Sequence, residues 1–150
     1  AFAAQLDYGY DVPRTAIVHR PAEPIEGGSK RVDVEADRGW QSTGWLLRGG
    51  RAYRVTASGR FQIAEDGEPW ACEAGGVTIE YHDGKPLGAL LGALRDVDRN
   101  TTEFAAPQLI GVAATLKPGR DATLYVRVND SAAKLGDNRG ELQLRCEPAP

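Results

Sequence analysis

The chain has 150 residues, a net charge of −3, 41% hydrophobic and 26% charged residues, which is enough for one soluble domain with a real core. It has no run of Lys and Arg, which argues against nucleic acid, where phosphate neutralisation dominates binding, and against attraction to an anionic membrane surface. The longest apolar run, Leu87 to Leu94, is too short to span a bilayer, and 18 Gly with 9 Pro point to many turns and few long helices.

Residues 1–28 read as an irregular segment or linker broken by Pro13, Pro21 and Pro24 and closed by Gly27-Gly28, with a short strand at Thr15 to Arg20 inside it. His19 stands there alone, with nothing nearby to make a triad. A domain is expected over residues 29–150. Val32, Val34 and Ala36 alternate with Asp33 and Glu35, as a half-buried strand does. Asp37 to Gly44 reads as a turn, Trp45 to Leu47 as a short strand and Arg48-Gly49-Gly50 as a tight turn. Tyr53, Val55 and Ala57 then alternate with Arg54 and Thr56; Ser58-Gly59 turns the chain, and Phe61 and Ile63 begin another strand. Four short strands at close turn spacing indicate an all-β, mostly antiparallel sandwich.

Glu65 to Gly76 reads as an acidic loop. Trp70 within it is the tryptophan expected to be partly exposed, able to stack on a sugar ring or to pack the loop onto the core; Trp40 and Trp45 are expected in the core. Val77 to Tyr81 is a strand and His82-Asp83-Gly84 a turn. Leu87 to Leu94, with a flanking Pro and two internal Gly, fits a strand with a bulge. Residues 95–103 read as loop. Leu109 to Ala114 and Ala122 to Val128 bracket a turn at Lys117-Pro118-Gly119.

Two cysteines, Cys72 and Cys146, allow one bridge, which would close a long loop and add about 4 kcal/mol on the chain-entropy argument. Two separately buried thiols are the alternative. The bridge is the expectation, because an extracytoplasmic location would permit it. Ala1-Phe2-Ala3 has the small-x-small pattern of a signal cleavage region, and fits a cut made in handling equally well.

The most informative stretch is Thr123 to Cys146. Leu124, Val126 and Val128 alternate with Thr123, Tyr125, Arg127 and Asn129; Leu142, Leu144 and Cys146 alternate with Glu141, Gln143 and Arg145. If the two segments pair as a hairpin, Asp130 at one mouth of the loop meets Asp137 and Asn138 at the other. Crowded carboxylates need a counter-charge or a shifted pKa, and a hard cation with oxygen ligands, such as calcium, is one solution. An ordinary Asx-rich turn is the other, and the spacing is not that of an EF-hand loop. No phosphate-binding Gly loop, zinc spacing or nucleophile elbow occurs. Catalysis would fall to carboxylates that nothing holds at a fixed separation, so no enzyme is expected.

The order GWQSTGWLLRGGRAYRVTASGRFQ, a loop with Trp70, YHDGKPLGALLGAL, then ATLYVRVND and LGDNRGELQL resembles the calcium-dependent galactophilic bacterial lectin family (the PA-I type) over roughly Val32 to Leu144. The resemblance implies a galactose-binding-like (jelly-roll) β-sandwich that occurs as a free lectin or as a module of larger extracytoplasmic proteins. It implies Ca2+ bound by the side chains of Asp130, Asp137 and Asn138, by a carbonyl near Lys134 and by another around Ile63. A galactoside-like sugar would complete the calcium shell at Asp130, Asp137 and Asn138. This chain departs from the family in having Asp137 for Asn and Lys134 for Thr, its loop before the GALLGAL strand is shorter, and His82 is no evident replacement for the family's sugar-contacting His. The expected function is calcium-assisted, non-catalytic carbohydrate binding. The alternative is a structural or accessory β-sandwich domain of a larger secreted protein.

Overall fold

Alternating apolar residues put one face of each strand out of water, and the chain stacks two sheets to bury those faces. A computed structural model describes residues 17–25, 27–65, 68–82, 85–96, 107–129 and 138–149. Thirteen strands are found among them: β1 (Glu23–Pro24), β2 (Lys30–Glu35), β3 (Gln41–Leu47), β4 (Tyr53–Ser58), β5 (Phe61–Glu65), β6 (Glu68–Cys72), β7 (Val77–His82), β8 (Lys85–Leu87), β9 (Leu90–Asp96), β10 (Gln108–Leu109), β11 (Ala113–Leu116), β12 (Ala122–Val128) and β13 (Arg139–Pro148). One sheet has the order β1-β3-β12-β9-β10; the other has β11-β4-β13-β5-β6, with β2 on the far side of β13. All strand pairs except β1 with β3 are antiparallel. No helix among the described residues is long and apolar enough to cross a membrane. The all-β sandwich expected from the alternation is the observed architecture.

The core lies between the sheets. Leu47, Leu90, Leu124, Val126 and Val128 come from one side, and Val34, Tyr53, Val55, Ile63, Leu142 and Leu144 from the other. Trp45 joins this core as expected, whereas Trp40 is only partly buried and carries the Arg127 guanidinium over its ring at 5.8 Å.

Several expectations are corrected. The Thr123–Cys146 stretch is no hairpin: β12 runs between β3 and β9, while β13 runs between β2 and β4 in the opposite sheet. Alternation fixes which face a residue presents, not which strand it pairs with. The supposed turn at Asp37 to Gly44 is half strand. Three β3 residues, Thr43 to Trp45, stand opposite Leu124 in a bulge, with Gly44 at φ +77°. The Thr43 hydroxyl donates to the Leu124 carbonyl at 2.8 Å and accepts from the Trp45 N–H at 3.2 Å, so the bulge's loose backbone groups are satisfied. The acidic loop at Glu65 to Gly76 contains β6, an edge strand in which Pro69 is tolerated.

The boundary at residue 28 also moves. Glu23 and Pro24 pair with Trp45 and Leu46, Val18 bridges Gln41 and Ile25 is buried, so residues 17–25 belong to the sandwich. The face of β12 expected to meet water is covered as well. Tyr125 is only 2% exposed, with His19 hydrogen-bonded to its hydroxyl through Nδ1 and packed edge-on against its ring.

The expected disulfide is not formed. Cys72 and Cys146 are both free and buried. Cys72 pairs with Phe61, which pairs with Gly140, six residues along β13 from Cys146. At 3.3 Å per residue that is roughly 20 Å of strand, far beyond the ~7 Å between Cα atoms that a bridge spans.

Candidate functional site

The described chain leaves β12 at Asn129 in one sheet and resumes at Asn138, beside β13 in the other. Asn129 closes β12. Its N–H donates to the Ala89 carbonyl at 2.8 Å, its carbonyl accepts from the Gly88 N–H at 2.7 Å, and its side chain donates to the Lys85 carbonyl at 3.0 Å. Gly88 sits in the left-handed region at φ +82°, and a Cβ there would fall 2.6 Å from the Cys72 Sγ and 3.5 Å from Ile63. Only glycine permits that approach, which holds the end of β12 against β5.

On the other side, Asn138 opens β13. The Ala36 N–H donates to the Gly140 carbonyl at 3.0 Å, and the Asn138 Nδ2 donates to the Ala36 carbonyl at 3.1 Å. Arg139 and Gly140 pair with Gln62 and Phe61 of β5. That pairing ends at Arg139, next to Asn138 in the chain, and Ile63, which follows Gln62, pairs with Trp70 of β6. The backbones of Ile63 and Trp70 therefore share one row, beside the end of the β13–β5 pairing.

Asn138 is fully buried, and its Oδ1 has no hydrogen-bond partner among the described residues. The orientation of the carboxamide is fixed by its neighbour, since turning it over would set Oδ1 against the Ala36 carbonyl. An orphaned buried acceptor costs about 1–3 kcal/mol, and such groups are rare in native structures. A cation beside it removes that cost, and a neutral carboxamide oxygen is an ordinary calcium ligand. Of the residues the resemblance assigns to the metal, Asn138 and Ile63 are described, Asn138 one residue beyond the end of the β13–β5 pairing.

Asp130, Lys134 and Asp137 lie outside the described residues, and so does the Trp70 side chain. In the chain Asp130 follows Asn129 and Asp137 precedes Asn138. Among the described residues no three His, Cys, Asp or Glu side chains gather as a metal group.

Asn129 and Ala36 were not singled out by the sequence. Asn129 had been read on a solvent face, yet it is 2% exposed. A signal was available: an Asn at the last position of an apolar strand commonly pins backbone groups. Ala36 contributes through its carbonyl, which no side-chain pattern reveals.

Beside Asn138 two arginines border a groove. The Arg139 Nη1 donates to the Asn138 carbonyl at 2.7 Å, and a shallow groove of about 300 Å³ is lined by Arg60, Phe61, Gln62, Arg139 and Gly140. Both thiols are held away from ionisation by burial, Cys72 up to about 11 and Cys146 up to about 12, so neither is poised as a ligand or nucleophile.

No family model matches the chain, and no curated protein matches it. Among solved structures, the chain is similar to the EclA N-terminal domain, described as a PllA-like lectin. The TM-score is 0.56 and the identity 20%, and the match covers 79% of this chain and 95% of that one. At that identity the likeness concerns the fold.

Proposed function

We propose that this chain is a non-catalytic carbohydrate-binding domain of an extracytoplasmic protein, assisted by a calcium ion at the 130–138 loop. The observation that carries the reading is the buried Asn138 Oδ1, without a partner among the described residues, at the end of a segment that begins and ends with Asp130 and Asp137. The likeness of the fold to a lectin domain supports the carbohydrate half of the proposal.

The side chains of Asp130, Asp137 and Asn138 and the carbonyls of Lys134 and Ile63 would hold the ion. Calcium takes about six to eight oxygens, and when bound it supplies open positions that vicinal sugar hydroxyls fill in place of water. Asp137 adds a carboxylate, which strengthens cation binding and accepts hydrogen bonds from hydroxyls. Lys134 adds a cation at the loop and disfavours a site of high positive charge. Trp70, in the same backbone row as Ile63, would offer its ring face to a galactoside-like sugar.

A second reading is a structural or accessory domain without sugar binding. It is favoured by the use of Asn129 and Asn138 as pins on the Lys85 and Ala36 carbonyls. A glycan array, probed with calcium and again with chelator, decides between them. Calcium-dependent binding of galactosides supports the lectin; a blank array in both conditions refutes it.

A further inference from the structure

The outer face of the second sheet carries a feature that the loop does not explain. Cross-strand partners there fall in rows, and one row reads Ala113, Thr56, Arg145, Arg31 across β11, β4, β13 and β2. Arg31 and Arg145 are exposed and directly opposite each other. Like charges in that position destabilise a sheet. Arg145 touches Glu147 at 3.5 Å, both about half exposed, a surface contact of little strength. Arg31 makes no ion pair among the described residues.

The next row is Ser58, Gln143 and Asp33. Gln143 folds its carboxamide towards Gly59, where a Cβ would come within 2.7 Å of its Oε1. The two rows enclose a groove of about 510 Å³ lined by Arg31, Asp33, Thr56, Ser58, Gln143 and Arg145. That is the size range of small-molecule sites. No aromatic residue lines it, so a neutral sugar finds no stacking platform there and recognition falls to charge and hydrogen bonds.

We propose that this groove is a second ligand site, independent of the calcium loop, and that it takes a saccharide bearing one carboxylate, of the uronic-acid class. The facing guanidiniums of Arg31 and Arg145 hold the carboxylate, for which their planar donor forks are matched. Thr56, Ser58, Gln143 and Asp33 hold the ring hydroxyls. Asp33 and Glu147 limit the site's positive charge, so multiply charged sulfates and phosphates gain little there.

The test is a two-dimensional NMR titration of the whole chain in chelator, with methyl β-glucuronide and, separately, methyl β-glucoside. The expected result is saturable shifts at Arg31, Thr56 and Arg145, with the glucuronide binding about tenfold or more tighter than the glucoside. Arg31→Gln and Arg145→Gln should each weaken glucuronide binding by about tenfold, while the unfolding midpoint holds or rises because one of two facing cations is gone. Equal affinity for the two glycosides, no saturation, shifts confined to Asn129 and Asn138, or unchanged binding in both variants would each overturn the proposal. Working without calcium keeps a failure here separate from a failure of the lectin reading.

Discussion

Replacing Asn138 with Asp exchanges one heavy atom, Nδ2 for an oxygen, and tests the cation directly. In the native side chain Nδ2 donates to the Ala36 carbonyl at 3.1 Å while Oδ1 has no partner among the described residues. Aspartate keeps the shape but sets an acceptor against the Ala36 carbonyl and places a carboxylate where the residue is fully buried. Leaving that carbonyl unpaired costs about 1–3 kcal/mol, and breaking a buried charge arrangement costs about 3–5 kcal/mol in all. For a chain of this length 1 kcal/mol moves the midpoint by about 2–4 °C. Chelator-treated Asn138→Asp should therefore melt roughly 6–20 °C below the parent protein. Calcium should raise the parent by about 5–10 °C at one hundred times its dissociation constant, where linkage supplies about 2.7 kcal/mol. The rise should be larger in the variant, because its extra carboxylate then has a partner. The assay is calorimetry or circular dichroism of both proteins with chelator and with millimolar calcium. If calcium moves neither midpoint, the orphaned oxygen is not a cation ligand. If the chelator-treated variant is as stable as the parent, the buried hydrogen bond to Ala36 is not there.

Gly49→Ala should lower the midpoint by a few degrees to about ten, because the new Cβ would meet the Arg120 Cα at 2.7 Å and backbone cannot swing aside; Gly119→Ala, with nothing within 4 Å, should be nearly neutral in the same melts. The Asp121 carboxyl is held below its usual value first by the Gly49 N–H at 2.8 Å and then by Arg48. Its contribution to stability is present above the unfolded-state pKa and lost as pH falls through the folded one. The midpoint gap between the parent and Asp121→Asn should therefore narrow below about pH 4, and a gap that stays constant into acid would contradict this. Both cysteines should resist a thiol reagent at pH 8 in the folded protein and react fully once unfolded. Their raised pKa values stabilise the fold below the ordinary thiol range and cease to do so as pH climbs towards 11 to 12. A mass two hydrogens short of the free thiols, without reductant, would show the bridge instead.

Much of the sandwich was legible because its strands bury one face each. Val32 with Val34, Tyr53 with Val55, and Leu142 with Leu144 marked β2, β4 and β13. Strands with polar or unusual content were not legible. Gln41, Ser42 and Thr43 looked like a turn, yet all three are buried, and their side chains bond backbone groups around the bulge. β6 was hidden by Glu68 and Pro69. Strand partners were the hardest to read: the two best alternating segments, β12 and β13, were joined as a hairpin although they lie in different sheets. The structure supplies what the spacing could not, a buried carboxamide at Asn138 whose Oδ1 has no partner among the described residues.

The many-sided pairing of β13 has a consequence for how the chain is made. This one strand binds β2 through residues 141–146, β4 through 143–148 and β5 through 139–140. Its partners precede it by long stretches: Val34 leads Leu142 by 108 residues and Phe61 leads Gly140 by 79. At about 5–20 residues per second of synthesis, β2, β4 and β5 leave the ribosome roughly 4–20 s before their central neighbour exists. Through that interval their edges are open to other strands, and most of the second sheet cannot close. Half of the sandwich therefore assembles around a late arrival, and chaperone demand during translation should fall on the exposed edges of β2, β4 and β5.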